Sequence, residues 1–89
     1  MLSYKYTPHA KEQMQERGIT EGEVAQTVEA GILVGISGTR SIRRRVFTEG
    51  YHWLERDYPH KEVQVVYTVE ESQIVVITAI ARYGRWDGM

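Results

Sequence analysis

The hydrophobic period changes once along this chain, near residue 42, and that change constrains the fold more than any other feature. Before it, apolar residues recur at helical spacing; after it, they alternate. The first helix is expected over about residues 8–17. Thr7 can cap it, and Pro8 stands at the first helical position, where its missing N–H costs nothing. Ala10, Met14 and the stem of Arg17 share one face, and Gly18 supplies a left-handed stop with Ile19 packing back. A second helix, about 21–30, opens on the Thr20-x-x-Glu23 capping box, with Ile19 and Val24 as a hydrophobic staple. Val24, Ala25, Val28 and Ile32 form its apolar stripe, and Gly31 ends it. Residues 35–41 read as the loop to the second half.

Strands are expected over about 42–47, 51–58, 63–69 and 73–81. The last is the most apolar and β-branched, so it is expected at the centre of a sheet, covered on both faces. The short Glu70-Glu71-Ser72 link implies an antiparallel hairpin. The expected class is α+β: two N-terminal helices packed on one face of a three- to four-stranded, mainly antiparallel sheet. The 89 residues leave room for one domain, 1–89.

Composition removes several functional classes. With 42% hydrophobic and 26% charged residues, the chain is not short of core-forming side chains as a disordered one would be. Without cysteine there is no disulfide framework, no thiolate metal site and no thiol nucleophile. The longest apolar run, Ile74–Ile77 extended by Ala79–Ala81, is too short to span a bilayer. The stretch from Met1 to Tyr6 has no apolar run of signal-peptide length. The expectation is a soluble, cytoplasmic protein with no membrane partner. His9, His52 and His60 lack a ligand spacing, so neither a metal nor another cofactor is expected. No glycine-rich phosphate loop and no nucleophile elbow is present.

The net charge of −1 does not by itself advertise nucleic-acid binding, but its distribution is uneven. Residues 40–56 carry Arg40, Arg43, Arg44, Arg45 and Arg56 against Glu49 and Glu55, a local +3. Arg82, Arg85 and Asp87 add +1 at the end. Such a patch attracts a phosphate backbone locally while the rest of the chain stays acidic.

The run from His9-Ala10 through Met14, Arg17-Gly18-Ile19 and the capped Thr20–Val24 resembles the opening of a small bacterial family, domain of unknown function 4258. The later segments Arg43–Phe47, Val63–Tyr67 and Ile74–Ile80 are similar to that family's arginine-bearing strand and closing hairpin. The resemblance covers roughly residues 6–83. The family's first arginine falls on Gln13 here, which implies an altered site if that arginine meets a substrate. More distantly, such chains are similar to the RelE/BrnT-type ribonuclease toxins. That analogy implies a RelE-like fold and a metal-independent endoribonuclease, with RNA or the ribosome as target and an antitoxin protein as partner.

On that analogy, His9 in the first turn of a helix is the candidate general base for a ribose 2′-OH. The alternative is that His9 hydrogen-bonds a neighbouring strand and fixes the helix. Arg17 either holds phosphate or caps the helix C-terminus. Arg43 and Arg45 share a strand face; if Ile42 and Val46 face the core, the two arginines form an exposed phosphate clamp. They serve otherwise as charges that guard an edge strand. Tyr83 is a candidate acid or stacking platform. Arg40, Arg44, Arg82, Arg85 and Trp86 are candidate RNA contacts, although Tyr83 and Trp86 can equally fold back onto the sheet. The expected function is a toxin-like endoribonuclease or RNA-binding relative. The alternative is a non-catalytic protein-interaction module, a homodimer through an edge strand or through the aromatic segment 51–58.

Overall fold

The computed structural model describes residues 3–86. Met1, Leu2 and Asp87, which enter the terminal and charge readings above, lie outside the described residues. The element order is β1 (Ser3–Tyr6), α1 (Pro8–Arg17), α2 (Glu21–Ala30), β2 (Ile32–Ser37), β3 (Arg40–Phe47), β4 (Tyr51–Trp53), β5 (Arg56–Tyr58), β6 (His60–Glu70) and β7 (Gln73–Gly84). Five strands form one sheet in the order β1-β7-β6-β3-β2, and β4 and β5 pair separately. All pairs are antiparallel except β1 with β7.

The helices begin and end as their residues dictate. Thr7 accepts from the Ala10 amide, and Gly18 closes α1 at φ +68°. Thr20 and Glu23 exchange both bonds of the capping box. Ala10, Met14, Val24 and Val28 are buried against Val63, Val65, Tyr67, Ile74, Val76 and Ala79 of β6 and β7. The core is therefore one layer, between the two helices and one sheet face. The α+β layout is as expected.

The sheet is larger than the sequence suggests. Residues 32–37 are an edge strand, and the loop shrinks to Gly38-Thr39, where Gly38 takes φ +61°. Ile32 consequently leaves the α2 stripe and is exposed. Ser3–Tyr6 add a parallel strand that β7 recruits from the other end of the chain. Segment 51–58 is two short strands about a turn at Leu54-Glu55. The central strand is β6, not β7, and the helices cover β7 on one face only. A bulge at Ile77 shifts the β6–β7 register, and Val69 lies outside the core.

Candidate functional site: a basic groove on the helix-free sheet face

Alternation along β3, β6 and β7 sorts the charged residues into two sets. Arg45 pairs with Val63 and Arg43 with Val65, both fully buried, so these arginines point to the helix side. Ile42 and Val46 accordingly face away from the core. Arg43 donates to the Tyr67 hydroxyl (2.9 Å) and to the Gly31 carbonyl (3.0 Å), tying β3 to the end of α2. The Arg45 guanidinium lies 5.5 Å from the centre of the Phe47 ring. The two arginines are thus spent on the helix layer rather than forming an exposed clamp.

His9, Arg17 and Tyr83 meet along the α1–β7 contact. Beyond β1, the edge of β7 has carbonyls without strand partners, and α1 supplies donors. Thr7 Oγ1 donates to Ile77 O (3.1 Å) and Arg17 to Ala79 O (3.3 Å). Gln13 accepts from Arg17 and from Thr78 Oγ1, the latter also 3.5 Å from His9 Nε2. An acceptor at position 13 thus joins α1 to β7. Arg17 satisfies a sheet edge, a role the sequence reading did not include.

Tyr83 belongs to a half-buried aromatic cluster. Its hydroxyl donates to Arg17 O (2.7 Å), and its ring stacks on Trp53 at 5.3 Å. Lys61, only 3% exposed, donates to Gly18 O (2.6 Å) and Glu23 Oε1 (2.7 Å). Its ammonium also sits 5.4 Å and 5.3 Å from the ring centres of Tyr51 and Tyr83. Burial, with the Glu23 charge next, pushes the Tyr83 phenol up to about 12. A phenol held neutral and donating to a carbonyl is a structural pin.

The opposite sheet face carries an open groove of about 750 Å³. Its lining includes Ile32, Arg44, Val46, Glu62, Arg82 and Trp86. Arg44 and Arg82 against Glu62 make this surface +1; Arg45 borders it, with its guanidinium turned to the helix layer. Glu62 lies between two guanidinium groups: Oε2 is 3.6 Å from Arg44 Nε and Oε1 is 3.6 Å from Arg82 Nη1. The Trp86 backbone N–H donates to His60 Nδ1 (2.8 Å), which leaves the neutral ring's proton on Nε2. Trp86 is thereby folded back to the groove, with its ring 5.9 Å from the Arg82 guanidinium.

Of the RNA contacts read from sequence, Arg44, Arg82 and Trp86 come together here. Arg40 stands beside the β2–β3 turn, outside the groove lining. Arg85 immediately precedes Trp86, also outside that lining. Sequence reasoning missed Glu62, His60 and Ile32. The available signal was period two: Glu62 shares its parity with His60 and opposes Arg82 across the β6–β7 hairpin. Among the described residues, no three His, Asp or Glu side chains gather as metal ligands, and no helix is long and apolar enough to cross a membrane.

A family model described as a domain of unknown function (DUF4258) matches residues 6–81. The chain belongs to the DUF4258 family. No curated protein and no solved structure matches it. The matched span contains Arg44, Glu62 and the Gln13–Arg17–Thr78 contacts, while Arg82 and Trp86 follow it.

Proposed function

We propose that this DUF4258 member is a toxin-like RNA-binding protein whose groove takes a single-stranded segment. The observation that carries this reading is the convergence of Arg44, Arg82 and Trp86 on one open groove. Guanidinium groups pair with phosphates and an indole stacks on an unpaired base, the combination single strands need. Of the candidate cleavage residues, Arg45 borders that groove and the other four do not line it. His9, Arg17 and Tyr83 lie at the α1–β7 contact, and Arg43 is bound to Tyr67 and Gly31. Binding is therefore favoured over cleavage.

The test is fluorescence anisotropy of a labelled single-stranded RNA across a salt series. Contacts to two or three phosphates give a log–log slope of roughly −1.5 to −2. The double variant Arg44→Ala/Arg82→Ala is expected to abolish binding. Salt-independent binding, or full retention by that variant, rejects the reading. The same RNA incubated with EDTA beside a His9→Ala control tests metal-independent cleavage. Cleavage lost in the control would restore His9 as a catalytic residue.

A second reading, a homodimeric interaction module, is favoured by β2. This strand is a free sheet edge, with Ile32 66% and Ile36 68% exposed and Leu33 and Val34 also exposed. It carries no charge and no proline, the usual guards of an edge; a bulge at Val34 interrupts its pairing with β3. Antiparallel pairing with a second copy would bring no like charges together within the strand. Sedimentation should show concentration-dependent dimers that Ile36→Lys dissociates. A monomer at every concentration rejects this reading.

A further inference from the structure

Glu62 is the one acid among the groove's lining residues and is 7% exposed. Its two ion pairs, each at 3.6 Å, are longer than hydrogen bonds, and among the described residues no donor hydrogen-bonds its carboxylate. Among the described residues no sealed side-chain oxygen lacks a partner, so the Glu62 oxygens open to the groove, where a donor from outside the chain can reach their lone pairs. Arg44 and Arg82 on either side repel any cationic donor. The complementary group is a neutral pair of adjacent N–H donors.

Resting on the RNA-binding reading, we propose that Glu62 makes the groove selective for guanine. Guanine's Watson–Crick edge presents N1–H and the exocyclic amine side by side, matching two carboxylate oxygens. Adenine and cytosine set one amine beside a ring acceptor, which would face the carboxylate and be repelled. Uracil flanks its one N–H with two carbonyls. Trp86 offers a stacking surface beside Arg82, and the arginines hold the flanking phosphates. Glu62 is thus a specificity-determining residue, distinct from the arginines that supply affinity.

The experiment compares labelled oligouridines carrying one central guanosine, inosine or adenosine, by anisotropy at low salt. Guanosine should bind roughly tenfold tighter than adenosine, the discrimination typical of one bidentate base contact. Inosine keeps N1–H and lacks the amine, so it should fall between them, and this comparison needs no variant. Glu62→Gln should abolish or invert the guanosine preference, because its amide sets a donor beside an acceptor and so matches adenine, while overall binding strengthens because a negative charge has left the groove. Equal binding of all three oligonucleotides by the unaltered protein overturns guanine selectivity and leaves RNA binding standing. Binding of none overturns both.

Discussion

Gly18→Ala joins two independent costs at one atom, and the structure separates them. The position has φ +68°, where an L side chain loses about 1–2 kcal/mol. An added Cβ would also stand 2.5 Å from the Trp53 ring. That ring cannot simply move aside, because it stacks on Tyr83, which is pinned to Arg17 O. Overpacking of this kind costs about 1–3 kcal/mol. Together the substitution should destabilise by about 2–5 kcal/mol, read from urea unfolding followed by circular dichroism. In a Trp53→Ala background the steric part disappears, leaving only about 1–2 kcal/mol for the backbone. An equal cost in both backgrounds would refute the ring-contact argument. A cost below about 1 kcal/mol in the unaltered background would refute both parts.

Other expectations follow from the same contacts. Glu71 and Ser72 form the β6–β7 turn at φ +50° and +66°, so replacing them with Asn-Gly should raise stability by about 1 kcal/mol in urea unfolding. Gln13→Arg removes the acceptor shared by Thr78 and Arg17 and sets two cations one helical turn apart; thermal unfolding should show a loss of about 1–2 kcal/mol. Arg43→Ala leaves the Tyr67 hydroxyl and Gly31 carbonyl without that partner and should cost about 2–3 kcal/mol in urea. The Tyr83 phenol is raised in the fold from its ordinary 10 to about 12, so its neutral form favours folding. That contribution is complete below pH 10 and is lost as the pH rises through 12. Alkaline unfolding should therefore shift to higher pH in Tyr83→Phe, which cannot ionise, if the lost hydroxyl bond costs less than the ionisation.

Local chemistry made much of this fold readable. Thr7, Pro8, Gly18, Thr20 and Glu23 act through their nearest neighbours, so both helices fall where propensity and capping put them. The missed strands have non-local causes. Residues 3–6 are extended because β7, some seventy residues on, offers an edge, and nothing within the segment announces that partner. β2 was obscured by Gly35 and Gly38, which read as loop but supply one strand residue and one turn residue. For the groove, chain order gave the arginines, whereas face and partner depended on register. Arg43 and Arg44 differ by one position and lie on opposite sides of the sheet.

The parallel pairing of β1 with β7 also imposes an order on assembly. β2, β3 and β6 can pair through contacts among themselves as the chain is made. β1, by contrast, has its partner only after seventy more residues, and the Thr7 and Arg17 donors wait 70 and 62 residues for the β7 carbonyls they reach. The N-terminal strand and helix must wait, unpaired, while the ribosome delivers the strand that receives them. Long-range closure of this kind slows folding and prolongs exposure of Ala10 and Met14. A chain stopped before β7 would leave its first helix without a sheet, so this protein cannot be shortened from its C-terminal half without also losing the docking of its first residues.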